Sequence, residues 1–259
     1  MSVKPKALIF DVDGTLADTE KDGHRPAFNR SFAAAGLDWH WSVEEYGQLL
    51  RITGGKERMR GYLAQNPDKN KNINDIDNLI VNLHNAKNRL YADIVRTGEI
   101  PLRPGVARLL QEARASDIRL AIATTTTRSN VVALLEANLG AESEDWFEII
   151  ATADEVPDKK PSPAVYHYVL DKLGLSASDC LAIEDSQNGI RAAHAAGLPV
   201  IVTVNGYTKN DDFGEAELII DQFGEPGSPY TILGGSWAGR LAENSGYIDI
   251  ATLGQLMNG

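Results

Sequence analysis

Asp11 and Asp13 stand one residue apart directly after the apolar run Ala7-Leu8-Ile9-Phe10, and Gly14-Thr15-Leu16 follows them. An extended backbone alternates its side chains, so both carboxylates emerge on one side of a strand at its carboxyl end. Open α/β sheets hold their ligands at that end. Two carboxylates sharing a site repel unless a cation lies between them or one holds a proton. The pair points to a metal site with a carboxylate nucleophile, although Asp-Gly taken alone is also a common turn.

Three further apolar runs deliver polar groups. Leu120–Ala123 leads into Thr124-Thr125-Thr126-Thr127, whose hydroxyls and backbone N–H groups suit a phosphate oxygen or cap the following helix. Lys159-Lys160-Pro161-Ser162-Pro163 precedes another helix-like stretch. A lysine there could neutralise a carboxylate nucleophile and a transferring phosphoryl group together, or the two could be a solvated basic pair. Cys180–Ile183 delivers Glu184-Asp185-Ser186, then Asn188-Gly189. Adjacent acids at a strand end make good hard-oxygen ligands for Mg²⁺, while Asp185 or Ser186 could instead cap a helix.

The elements that must position these groups are legible as alternating patterns. Strand-like runs recur at 7–10, 119–124, 148–151, 180–184, 199–203 and 218–220, and helix-like stretches at 106–116, 128–137, 162–173 and 186–196 separate several of them. This alternation predicts an α/β fold built on a doubly wound parallel sheet. From about residue 19 to 102 the rhythm breaks into helical periodicity alone, at 27–35, 42–51, 56–65 and 75–96. The reading is a core domain of residues 1–18 and 103–221, with a helical cap domain of residues 19–102 inserted after the first strand. Asn66–Asn72 reads as an exposed connection within the cap, and Gly- and Pro-rich residues 222–259 as an appendage of undefined structure.

Composition narrows the class. At 259 residues and 43% hydrophobic, the chain can bury a substantial core, and its net charge of −11 disfavours nucleic acid and membrane surfaces as partners. The single cysteine, Cys180, excludes an internal disulfide and fits a reducing compartment. No apolar run approaches a membrane span, and Met1–Lys6 is too short and polar for a signal peptide, so a cytoplasmic protein is expected. No protein partner is indicated and a monomer is expected.

Taken in order, the DxDGT of Asp11–Thr15, a strand-end Thr, a Lys before a Pro-rich helix start and Glu184-Asp185 resemble the four-part signature of the haloacid dehalogenase superfamily, from Ala7 to about Asp221. The resemblance implies Asp11 as nucleophile, forming an aspartyl-phosphate, and Asp13 as general acid and then base. It implies a Mg²⁺ cofactor among Asp11, the backbone carbonyl of Asp13 and Asp185, with Glu184 acting through water. Thr124 and Lys160 would grip the transferring group, with Thr125 and Thr126 beside it. Lys160 is preferred to Lys159 because it immediately precedes Pro161.

Within the insertion, Gly54-Gly55 opening a helix between Arg51, Lys56 and Arg58 has the make-up of a second anion site. The strings Asp18–Arg25 and Tyr46–Met59 resemble the CbbY-like branch, particularly its plant and cyanobacterial type, which removes the 1-phosphate of the Rubisco inhibitor xylulose 1,5-bisphosphate. By position, Glu20 and His24 would contact the sugar, with Tyr46, Arg51, Thr53, Gly54, Gly55 and Lys56 around the remote phosphate. Three functions stay open at this point: a Mg²⁺-dependent sugar-bisphosphate phosphatase, a β-phosphoglucomutase-like isomerase, and a non-catalytic sugar-phosphate-binding module.

Overall fold

Leu8, Ile9 and Phe10 have no exposed surface, and neither do the facing residues Ala121, Ile122, Leu181, Ala182 and Ile183. Strands this apolar on both faces belong inside a parallel sheet covered by helices. The computed structural model, which describes residues 4–52, 54–71, 73–241 and 246–258, has that sheet. Its strands are β1 (Ala7–Phe10), β2 (Arg119–Ala123), β3 (Ile149–Ala151), β4 (Cys180–Glu184), β5 (Val200–Thr203), β6 (Leu218–Ile220) and β7 (Ile232–Gly234). They lie in the order β3-β2-β1-β4-β5-β6-β7, parallel except for β7 against β6. The fold is the expected doubly wound α/β sheet. β1 sits between β2 and β4, where the winding reverses, and the carboxyl ends flanking that reversal form a natural ligand crevice.

The chain divides into two compact units, Met1–Asp18 with Pro101–Gly259, and Thr19–Ile100. The second unit carries α1 (Arg25–Ala34), α2 (Val43–Leu49), α3 (Gly55–Gln65) and α4 (Ile76–Arg96), and no named strand falls within it among the described residues. Ser42 and Asp75 cap α2 and α4 by accepting from Glu45 N and Asn78 N. The Asn-rich stretch forms a 3₁₀ turn at Pro67–Asn70, and Asn72 lies outside the described residues. Trp39 and Trp41 are buried and pack with Phe28, Phe32, Tyr46 and Tyr62 in one aromatic cluster.

The first unit continues with α5 (Val106–Ala115), α6 (Arg128–Leu139), α7 (Ala164–Leu173), α8 (Gln187–Ala195) and α9 (Ile250–Asn258). α7 starts two residues later than the sequence pattern suggests, because Pro163 occupies the cap position. Residues beyond 221, read from sequence as a loosely structured appendage with room for one short closing element, supply β7 and α9, and α9 buries Ile250, Leu253 and Leu256. No helix among the described residues is long and apolar enough to cross a membrane.

Candidate active site

β1 and β4 run in register, with Phe10 beside Ile183, so the residues that follow them emerge together. Asp11 follows β1, its amide donating to Ile183 O at 3.0 Å. Glu184 ends β4 and Asp185 comes next. Ser186, not Asp185, caps α8, its hydroxyl accepting from Gly189 N at 3.2 Å. The cap is thus satisfied without drawing on the Asp185 carboxylate.

Lys160 reaches this strand end from the segment before α7. Its ammonium donates to Asp11 Oδ1 at 2.7 Å, Glu184 Oε1 at 2.6 Å and Ala123 O at 2.8 Å. Side-chain exposure is 7% for Lys160, 10% for Asp11 and 1% for Glu184, so the three charges are shielded from water. Burial alone would lower the Lys160 ammonium, but Asp11 and Glu184 outweigh it and hold the group above the ordinary lysine range. Tyr166 on α7 donates to the same Glu184 oxygen.

One carboxylate oxygen each from Asp11, Glu184 and Asp185 lies within 4.8 Å of the others. Burial and the neighbouring Asp11 and Glu184 raise the Asp185 carboxyl well above its usual range, and burial raises Glu184 against the pull of Lys160. Three carboxylates against one ammonium leave surplus negative charge on hard oxygens. That donor set fits a divalent cation such as Mg²⁺. With Lys160 and Tyr166 both on its Oε1, Glu184 is the most committed of the three to protein partners.

Asp13 lies two residues beyond Asp11 and half-buried, in a turn closed by Gly14 N to Ala17 O at 2.8 Å. Thr124 is buried directly after Ala123, whose carbonyl takes the Lys160 bond, and its hydroxyl accepts from Thr126 N at 3.3 Å. Thr125 is exposed; Thr126 is half-buried and bonded to Asn130. Asp11, Lys160, Glu184, Asp185 and the Thr124 corner therefore share one strand-end site.

In the second unit, two of the expected residues, Glu20 and Tyr46, are bonded to one another. Tyr46 is buried, donates to Glu20 Oε2 at 2.6 Å and accepts from Arg58 at 2.9 Å. His24 stacks on Tyr91 with ring centroids 3.9 Å apart, and its Nδ1 lies 2.8 Å from Lys87 Nζ. An ammonium only donates, so His24 Nδ1 accepts and the ring proton sits on Nε2. Burial, then Lys87 and Arg58, push the His24 imidazole well below its usual range, and it is neutral. Gly54 precedes α3 at φ +94°, Gly55 opens the helix, Lys56 is half-buried and Arg51 is exposed. Thr53 lies outside the described residues.

Several site residues escaped sequence reasoning. Tyr166 and Lys87 carry no motif and read as ordinary members of amphipathic helices, whereas Arg58, expected beside the Gly54-Gly55 pair as a cation for an anion site, instead donates to Leu49 O and the Tyr46 hydroxyl. Asn205 donates to Asp185 Oδ2 at 2.7 Å from a loop with no apolar pattern to mark it. Arg103 is a lone cation before Pro104-Gly105, and its partners lie far away in sequence.

Comparison with known proteins agrees with this geometry. Residues 5–197 match the haloacid dehalogenase-like hydrolase family. The chain is 53% identical to CbbY of Rhodobacter capsulatus over 215 residues, covering 82% of this chain and 91% of that protein. It is 41% identical to a CBBY-like protein of Arabidopsis thaliana over 229 residues, covering 87% and 72% of the two chains. Among solved structures, mutant CbbY of Rhodobacter sphaeroides in complex with xylulose-(1,5)bisphosphate is similar at a TM-score of 0.71, with 44% identity over 86% of this chain and 96% of that one. The chain belongs to the haloacid dehalogenase-like hydrolases, and within them to the CbbY group. It is accordingly an enzyme of the phosphatase type.

Proposed function

We propose that this enzyme is a Mg²⁺-dependent sugar-bisphosphate phosphatase that converts xylulose 1,5-bisphosphate to xylulose 5-phosphate, and so clears a Rubisco inhibitor. The observation carrying the proposal is the buried cluster of Asp11, Lys160, Glu184 and Asp185 at the β1–β4 crevice. Its support on the substrate side is the likeness to a CbbY solved with that bisphosphate.

Asp11 is the nucleophile. With Oδ1 held by Lys160, Oδ2 attacks the 1-phosphoryl group; the P–O bond to the sugar breaks, and its electron pair leaves on the sugar oxygen. Asp13, entering protonated, gives that oxygen its proton. The same carboxylate then takes a proton from water, which attacks phosphorus and releases Asp11 and inorganic phosphate. Lys160 holds Asp11 oriented through its bond to Oδ1, and with Thr124 it binds the transferring oxygens. Asp11, Asp185 and the Asp13 carbonyl would hold Mg²⁺, with Glu184 through water; the ion, when bound, offsets repulsion between phosphoryl and carboxylate oxygens.

Specificity for a bisphosphate falls to residues 19–102 in this reading. Glu20 and His24 bind the sugar, and Tyr46, Arg51, Thr53, Gly54, Gly55 and Lys56 surround the remote phosphate. A neutral His24 can donate from Nε2 to a sugar hydroxyl. The net charge of −11 gives the protein no reason to seek nucleic acid, and we place it in the cytoplasm acting as a monomer on a small molecule. Rapid acid quench with substrate labelled at the 1-phosphate tests the route. Label bound to protein in the native enzyme and missing from Asp11→Asn is expected; its absence from both removes the covalent step.

A further inference from the structure

Arg103, whose side chain is 8% exposed, ties together segments that meet beneath the acidic cluster. Its guanidinium donates to Gly14 O at 2.5 Å, to Thr203 O at 2.8 Å and Thr203 Oγ1 at 3.0 Å, and to Val204 O and Asp221 O at 2.7 Å each. Its Nε lies 3.5 Å from Asp18 Oδ1. Stitching the ends of β5 and β6 accounts for the Thr203, Val204 and Asp221 bonds. It does not account for Gly14, which belongs to the loop carrying Asp13.

Gly14 also accepts from Asn205 Nδ2 at 3.5 Å, and that amide donates to Asp185 Oδ2 at 2.7 Å. Asn205 cannot swing away freely, since its Oδ1 accepts from Tyr207 N at 2.9 Å and Thr208 N at 3.2 Å. Gly14 itself stands at φ +88°, and a Cβ placed on it would come within 2.1 Å of Asp185 Oδ2. The Asp185 carboxylate is thus seated directly against Gly14, one oxygen held by Asn205, while Arg103 fixes the Gly14 peptide.

We propose that Arg103 and Asn205 are positioning residues for the metal site, holding the Asp185 carboxylate and, through the Gly14 carbonyl, the turn whose Asp13 carbonyl would bind Mg²⁺. The inference rests on the Mg²⁺ reading above. Arginine suits the role because one planar fork reaches several carbonyls at fixed angles, which a lysine ammonium cannot reproduce. Supporting groups of this kind typically change metal affinity by about 10- to 100-fold when removed.

The test is calorimetric titration of the full chain with MgCl₂ alone, on the native protein, Arg103→Lys and Asn205→Ala, paired with melting curves with and without Mg²⁺. Both variants should bind Mg²⁺ about 10- to 100-fold more weakly, and the rise in melting temperature produced by Mg²⁺ should shrink. Purely structural roles would lower the metal-free melting temperature and leave the Mg²⁺ affinity and the Mg²⁺-induced rise unchanged, which would overturn the proposal. Should Arg103→Lys fail to fold, Asn205→Ala alone decides: affinity within about twofold of native refutes it. A native protein that does not bind Mg²⁺ would remove the metal reading itself, and this inference with it.

Discussion

Lys160 Nζ lies 2.7 Å from Asp11 Oδ1 although 149 positions separate them in the chain. The same ammonium bridges to Glu184, so one buried cation neutralises part of an acidic site and fixes the orientation of its proposed nucleophile.

Replacing that cation is therefore expected to damage stability and chemistry together. Lys160→Met leaves Asp11 and Glu184 buried without their counter-ion, a loss of about 3 kcal/mol in urea unfolding. Phosphate release should fall by ~10³-fold or more, since both nucleophile orientation and phosphoryl charge stabilisation are lost. Native-like activity in Lys160→Met would show that Lys159 or another group supplies the charge.

Gly189 gives a sharper steric test. A Cβ there would sit 1.9 Å from Glu184 Oε2, so α8 packs directly on that carboxylate. Alanine is the better helix former by about 1 kcal/mol. Displacing a buried, bonded carboxylate costs about 1–3 kcal/mol as overpacking. Gly189→Ala should come out less stable and less active than native. A stabilised, fully active variant would mean that Glu184 has room to move.

The neutral His24 predicts a pH effect of definite sign. Its folded pKa is depressed below the ordinary 6.5, so between those two values the unfolded chain binds a proton that the folded chain excludes. Its contribution to stability is complete above about pH 6.5 and is lost as pH falls. Glu184 and Asp185, with raised values, act in the opposite sense, so the comparison must be with a variant. Between about pH 7.5 and pH 5, native protein should lose more unfolding free energy than His24→Gln; equal losses would contradict a buried neutral imidazole.

The strands that form the crevice were legible because each is an uninterrupted apolar run ending in a polar group. This held for Ala7–Phe10 before Asp11 and for Cys180–Glu184, whose bounds match the sequence reading. The helices of residues 19–102 were legible from periodicity, and their starts from Ser42, Asp75 and the Gly54-Gly55 pair. What escaped was long-range or weakly patterned. Arg103 and Asn205 act through partners that local spacing cannot reveal. β7 is a short edge strand whose Ile232 and Leu233 stay exposed, so the pattern of burial that marks a strand is missing. α9 is apolar enough to see, yet the Gly- and Pro-rich stretch before it obscured its docking in the first unit. The π-helical turn Glu20–His24, which carries two of the expected sugar contacts, has no sequence signature.

The account's central claim is tested most directly by Mg²⁺-dependent phosphate release from xylulose 1,5-bisphosphate, with ribulose 1,5-bisphosphate and fructose 1,6-bisphosphate beside it and Asp11→Asn as the blank. We predict strong preference for the xylulose compound, xylulose 5-phosphate as product, and no release by the variant. Release undiminished in Asp11→Asn, or no release from any of the three by the native enzyme, would contradict it.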